Sequence, residues 1–275
     1  MRNFVFLTLL ALVGCATTFP QSTLPQNFND LTSEQLIAEL ESFLVKIDAE
    51  PRGIDESLVA ILESFRATLQ QGFPTLGIPP LDPLLVPHGQ FDIETATADV
   101  KGSFDNVTVN GISAYTINKV HMDMLRMKIN FDLLFNVIDT LGDRYDVDGV
   151  LAVLPIYGTG PFEFTILNMS MIGEVKMGLV NGSVQVLSMP IDINIAAVSS
   201  NMMGIMGGGA MGTIVNDMID DFAPIIFNEI KAPIIDAAVQ RIVAFVNARL
   251  QGLTFQDLID IILGIGGGKF LEMYN

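Results

Sequence analysis

The chain of 275 residues has one cysteine, Cys15, and no tryptophan. With Cys15 confined to the extreme N-terminus, a disulfide framework and a paired-cysteine zinc site are both excluded. There are two histidines, His88 and His121. So few imidazoles leave little raw material for a histidine metal centre or for a Ser–His or Cys–His nucleophile pair. Basic residues are scarce too, 14 Lys+Arg against 31 Asp+Glu, for a formal net charge of −17. A surface of that sign repels nucleic acid and anionic membranes. H-E-x-x-H, C-x-x-C pairs and a phosphate loop are missing. Gly111-Ile-Ser-Ala-Tyr115 fails the G-x-S-x-G elbow at its last position. These absences argue against an enzyme and against any metal or cofactor.

Apolar surface is what the chain has in abundance. Hydrophobic residues make up 50% of it and charged ones 16%, with 14 Met and 18 Phe. Such a chain either builds a large core or encloses an apolar cavity. Methionine adapts its shape and suits a wall that must tolerate different ligands. For any single residue, filling a core is the simpler role.

The first 16 residues read as a targeting signal: Arg2, an apolar run over 4–13, then the small residues Gly14 and Ala16. Cleavage after Ala16 and secretion follow. A competing reading takes Leu12-Val-Gly-Cys15 as a bacterial lipoprotein box that would lipidate Cys15. Three sequons, at Asn106, Asn168 and Asn181, are glycosylation candidates and favour a eukaryotic secreted protein.

Two amphipathic helices are expected before residue 77. Thr32 caps the first, over about 33–47, with Leu36, Leu40, Phe43, Leu44 and Ile47 on one face. Asp55 caps the second, with Leu58, Leu62, Phe65 and Leu69 inward and Gly72 as its stop. Next comes Gly77-Ile-Pro-Pro-Leu-Asp-Pro-Leu-Leu-Val-Pro87, whose four prolines forbid a helix or a central strand and predict a stiff connector.

Beyond it the period is two. Val107 and Val109, then 127–133, 145–156, 162–166, 175–179, 184–186 and 191–195 alternate as strands. Turn chemistry separates them at Leu141-Gly-Asp143, Gly158-Thr-Gly160 and Asn181-Gly182. Six to eight hairpin-linked antiparallel strands are expected. The uncharged stretch from Ile193 to Asn216 is rich in glycine and reads as a flexible loop, with a membrane span as the alternative. From about Thr213 to Leu250 runs a helical pattern apolar on most sides, which Pro224 and Pro233 should kink or break. Thr254 with Asp257 caps a short last helix ending near Leu263, and a loose tail follows.

The connector Gly77-Ile-Pro-Pro-Leu-Asp-Pro-Leu84 is similar to a hallmark of the insect takeout and haemolymph juvenile-hormone-binding protein family. Asn106-Val-Thr-Val-Asn-Gly-Ile112, Tyr145-Asp-Val-Asp-Gly-Val-Leu151 and Leu154-Pro-Ile-Tyr-Gly-Thr-Gly160 follow in the family order. The resemblance implies an α+β fold: a long C-terminal helix wrapped by a strongly curved antiparallel sheet, with an apolar ligand tunnel between them. The usual N-terminal cysteine pair is missing, which marks a divergent branch and leaves room for relatives of the mite group 7 allergens.

The expected organisation is a signal peptide over 1–16, one tubular lipid-binding domain over 17–253, and a short helix and tail over 254–275. The expected function is a secreted carrier of a small hydrophobic molecule such as a terpenoid or fatty acid. The alternative is an interaction protein of the same fold with a vestigial cavity, acting through residues 30–72. The tunnel wall is expected to use Met218, Phe222, Ile226 and Ile230 from the long helix. Facing them from strands would be Met127, Ile129, Phe131, Val153 and Phe164.

Overall fold

The computed structural model describes residues 53–72 and 79–263. The expected signal peptide, the helix expected over 33–47 and the expected tail after Leu263 lie outside the described residues. The first described element, α1 (Ile54–Gln71), begins after Gly53, which takes an extended conformation at the N-cap. Asp55 is not the cap. It lies in the first turn, and its carboxylate reaches across to β3 instead, accepting from Met122 N (2.8 Å) and meeting His121 Nδ1 (2.7 Å). Gly72, at φ 74°, ends the helix, a backbone position that favours glycine.

Seven strands follow: β1 (Leu84–Glu94), β2 (Ala98–Asn110), β3 (Tyr115–Asp123), β4 (Lys128–Leu151), β5 (Leu154–Val180), β6 (Ser183–Ser188) and β7 (Ile191–Met202). All pairings are antiparallel, in the order β1-β2-β4-β5-β6, with β3 also on β4 and β7 also on β5. The β4–β5 hairpin is the spine. Along β4, β2 and β3 lie end to end; along β5, β7 and β6 do the same. Pro87 sits in β1, an edge strand, where a missing N–H is tolerated.

Strands of 24 and 27 residues are far longer than usual, and a ribbon of that length must coil. Irregularities in pairing assist the coiling. The inward set on β4 steps from Phe135 to Ile138 and from Gly142 to Tyr145, three residues each instead of two or four. Opposite the first step, Asn168 of β5 has φ 50° and is skipped in the ladder. The second step is a bulge, where the β4–β5 register shifts between Gly142 and Tyr145, and a bulge bends a strand and strengthens its twist while preserving an apolar inner face.

The sheet wraps α2 (Gly209–Arg249), which follows a 3-10 turn at Ile205–Gly207. On one flank, β7 is tied to the helix by Ser200 Oγ donating to Asp220 (2.6 Å) and by Lys231 Nζ donating to Asp192 (2.7 Å) and to the carbonyl of Ile193 (2.8 Å). From the other flank, Thr97 in the β1–β2 turn reaches Glu229 on α2 (3.3 Å). The sheet is curved and not closed. Val215, Ile219, Ala223, Ile226, Phe227 and Ile230 are accordingly at most 1% exposed, while Ile214, Ile225 and Ile242 on the opposite arc keep 42–49%. The apolar arc of the helix is therefore not enclosed all round. Finally α3 (Phe255–Leu263) carries the expected reciprocal cap, with Thr254 and Asp257 each donating a backbone N–H to the other's side chain.

Several sequence expectations change. Two suggested turns, 141–143 and 158–160, are strand interior: their glycines make room for close neighbours, as Gly142 does for Phe162 and Gly160 for the carbonyl of Met203. The run 145–156, read as one strand, turns back at Ala152 (φ 54°) and Val153. The glycine-rich stretch after Ile193 is ordered as the rest of β7, the 3-10 turn and the start of α2. Helix α2 also runs through both prolines without a break. Each proline removes one helical hydrogen bond, but the buried residues around Pro224 hold the helix to the sheet, and Pro233 is exposed. Among the described residues no helix is long and apolar enough to cross a membrane.

Candidate functional site

The conspicuous connector has a structural task. The Asp82 carboxylate accepts from Gly111 N (2.9 Å), Ser113 N (2.7 Å) and Ser113 Oγ (2.5 Å). Leu81 N and Asp82 N donate to the carbonyl of Leu69 at the end of α1. Gln70 Nε2 donates to Ser113 Oγ (3.0 Å), and Arg66 donates to the Ser113 carbonyl (2.9 Å). Asp82 thus fastens α1 to the β2–β3 turn, and Ser113 is committed to that joint. The Arg66 guanidinium also lies 4.2 Å from the centre of the Tyr115 ring. Burial pushes the Tyr115 phenol up to about 12, and the Tyr145 phenol, again through burial, up to about 12. The Tyr115 hydroxyl donates to the Leu62 carbonyl and that of Tyr145 to the Met203 carbonyl. These phenols act as fixed donors.

Both histidines are exposed and sit against carboxylates, His88 on Asp105 (2.6 Å) and His121 on Asp55 (2.7 Å). No group of three His, Cys, Asp or Glu among the described residues could hold a metal ion. The site must therefore be sought in the apolar interior.

That interior divides into two clusters. The larger lies between the sheet and most of α2 and includes an edge-to-face aromatic chain, Tyr145–Phe162–Phe164, with ring centroids 6.2 and 6.0 Å apart. Among the described residues it holds 34 buried apolar side chains and 14 partly buried ones. The smaller cluster holds 7 buried and 13 partly buried. The proportion is reversed there, so most apolar side chains of the smaller cluster are only half covered, unlike those of the close-packed core.

The smaller cluster is built at one end of the molecule from seven elements, with Val184 and Val186 buried from β6. Ile54 and Ile61 come from α1, Val120 from β3, Ile129 from β4, Val175 from β5, Val243 and Val246 from α2, and Phe255 and Leu258 from α3. Ile129 and Val175 are direct ladder partners. From Lys128 to Asp132 every residue is half-buried, so the alternation of β4 fades where this region begins. Phe131, Met171 and Val239 are likewise only partly buried, packed against the larger cluster. Asn247 closes the far side: its amide accepts from Val186 N (2.7 Å) and donates to Val186 O (2.9 Å).

The nine side chains expected to line a tunnel do not form one set. Ile226, Ile230 and Phe164 are 1–2% exposed within the larger cluster, and Met218 and Phe222 pack on its edge. Phe131 stands at the margin, while Met127 and Ile129 belong to the smaller cluster. Val153 is 93% exposed in the β4–β5 turn. It is no part of an enclosed wall, because Leu151 is the last inward residue of β4 before the chain reverses. The contributions of α1, α3 and the C-terminal third of α2 were missed, since no local pattern says which distant elements meet. The sequon residues Asn106, Asn168 and Asn181 are all exposed, each with φ between 50° and 52°.

With this geometry in place, likeness to known proteins can be set beside it. The profile of a family described as "Haemolymph juvenile hormone binding protein (JHBP)" matches residues 23–260, a span that contains all four sequence motifs noted above. Over 113 residues the chain is 29% identical to a protein of Schistocerca gregaria provisionally named a beta-carotene-binding protein. That alignment takes in 38% of this chain and 44% of the relative, so the chain spans less than half of the relative's length. The fold is similar to the crystal structure of Epiphyas postvittana Takeout 1, with a TM-score of 0.53 at 16% identity, over 72% of this chain and 94% of that one.

Proposed function

We propose that this chain, which belongs to the haemolymph juvenile hormone binding protein family, is a secreted carrier of a small hydrophobic molecule. The ligand sits in the half-filled apolar region bounded by α1, the ends of β3–β6, the last third of α2, and α3. The observation that carries the reading is the excess of partly buried over buried apolar side chains there. Apolar walls that water can still reach gain about 25 cal/mol for each Å² that a ligand covers. Family membership supports a carrier, and the name of the Schistocerca gregaria relative supports an extended apolar ligand, of terpenoid, carotenoid or fatty-acyl type. Binding and not catalysis is the activity, because Ser113 is held by Asp82 and the two histidines sit outside the clusters. For the same reason affinity should change little between about pH 6 and 8, where a free histidine titrates.

The test uses delipidated full chain and a fluorescent fatty-acid probe, with native mass spectrometry of the protein as purified. Saturable binding near one probe per chain, with a gain in melting temperature that grows with probe concentration, is the expected result. A protein that takes up no hydrophobic probe and carries no lipid when purified would overturn the reading.

A further inference from the structure

The described elements leave most of the smaller cluster half covered: 13 of its apolar side chains are partly buried against 7 that are buried. Three helices share in the half-covered set, α1 through Ile54 and Ile61, α2 through Val243 and Val246, and α3 through Phe255 and Leu258. Leu58 of α1 and Ile259 and Ile262 of α3 are buried in the same cluster. An apolar region assembled from several elements is more than scattered surface hydrophobics and calls for a cover.

The chain supplies one of the right chemistry at the right place. Ile54, a member of the cluster, is the first residue of α1, so the segment ahead of it enters the structure at the cluster itself. Over 33–47 the sequence sets Leu36, Leu40, Phe43, Leu44 and Ile47 at the spacing of one helical face. A helix of that length measures about 22 Å. Residues 48–52 span at most about 17 Å, a connection of the kind that joins antiparallel neighbouring helices. Pro51 bars a continuous helix into α1, and Gly53 at the N-cap is extended, so the chain can double back along α1. The family profile matches residues 23–260. It therefore includes 33–47 and excludes 264–275, the other segment that leaves the structure at this cluster, after Leu263. A second exposed apolar patch, Met211 and Ile214 at the start of α2, lies roughly 43 Å along the helix axis from Val243. That is too far for a helix so tethered to cover.

We infer that residues 33–47 dock as an amphipathic helix across α1, the last third of α2, and α3, and cover the smaller cluster from outside. Docking removes from water both the half-covered side chains of the cluster and the apolar face of the segment, surfaces that neither partner covers alone. With a ligand in the cluster, the docked helix is the outer wall of the site, and exchange of the ligand requires the helix to lift. That last step rests on the carrier reading; the docking itself does not.

Photo-crosslinking of the full chain tests the docking. With Phe43 replaced by p-benzoylphenylalanine, irradiation should join residue 43 to residues 54–61, 243–250 or 255–263 of the same chain, as mapped by mass spectrometry. Cross-links to 211–225 instead, cross-links only between two chains, or none at all would each overturn the docking. The double variant Leu40→Asp/Phe43→Asp should speed hydrogen exchange at Ile259 and Ile262 at least about tenfold, while β1 and β2 exchange at the parental rate. Unchanged exchange in α3 would likewise count against the docked helix. The double variant should also release a bound fluorescent fatty-acid probe several times faster than the parent. Equal release rates would remove the helix from the wall of the ligand site. A parent that binds no probe strikes at the carrier reading alone, and the cross-links still decide the docking.

Discussion

The ring of Phe162 lies across Gly142, its direct partner on the β4–β5 ladder, so closely that a Cβ on the glycine would stand 2.0 Å from the ring. The arrangement recurs at three other directly paired positions: Gly89 with Phe104, Gly102 with Phe91, and Gly173 with Phe131. In each pair the phenyl ring covers backbone that a glycine would otherwise leave bare, and the bare glycine lets the ring lie close to the sheet. The inner face of this long ribbon is thus surfaced by aromatic rings laid on it.

Substituting Gly142→Ala should displace Phe162 and, through the edge-to-face contacts, Tyr145 and Phe164. The expected loss is about 1–3 kcal/mol, the usual cost of overpacking a core. Chemical denaturation measures it. Pairing Gly142→Ala with Phe162→Leu should recover part of the loss, and a purely additive double variant would show that the ring contact is not its source.

Removing the Asn247 amide should free the β6 edge. In Asn247→Leu the N–H and C=O of Val186 both lose their partner on α2. Unsatisfied groups of this kind cost about 1–3 kcal/mol. Hydrogen exchange at Val186 should accelerate by more than the fall in global stability explains, whereas exchange in β1 and β2 should follow global stability alone.

The acid response of Asp220 has a definite sign. Burial holds its carboxyl above the ordinary range; bonds from Ser200 lower it in part, and Asp217 and Asp221 raise it further. The folded state therefore holds this proton more tightly than the unfolded chain. Its stabilising contribution is present below the unfolded value, about 3.9, and is lost as pH rises through the folded value. Asp220→Asn should consequently melt higher than the parent near neutral pH, with the gap closing in acid. A parent that melts higher at neutral pH would contradict the assignment.

The two apolar clusters should answer mutation differently. Ile226, 1% exposed in the dense cluster, should cost roughly 2–5 kcal/mol when replaced by alanine. Val243, partly buried in the smaller cluster, should cost clearly less than a packed residue. Val243→Trp should leave the fold intact and reduce probe affinity, while Ile226→Trp should destabilise the protein directly. A Val243→Trp variant that binds the probe as well as the parent would place the ligand elsewhere.

Local chemistry was legible in the sequence wherever a few neighbouring residues decide the outcome. Asn181 and Gly182, both with positive φ, make the expected tight hairpin between β5 and β6. Thr254 and Asp257 make the expected cap, and the period of two marks strand after strand. The order of four motifs was enough to indicate the family and, with it, the curved sheet around a long helix. What failed were readings in which a local signal had a distant cause. Gly142 resembles a turn until Phe162 is seen lying on it, and Asp55 resembles a helix cap until Met122 claims its carboxylate. A bulge near Arg144, and the irregular pair Asn136 and Asn168, change which residues of β4 face inward, and no periodicity count reveals them in advance. Hydrophobicity alone likewise cannot separate Ile226, surrounded on every side, from Val243, left half-covered. Packing depends on how many elements converge on a point, and that number is decided by the coiling of the sheet and by where α1 and α3 come to rest against it.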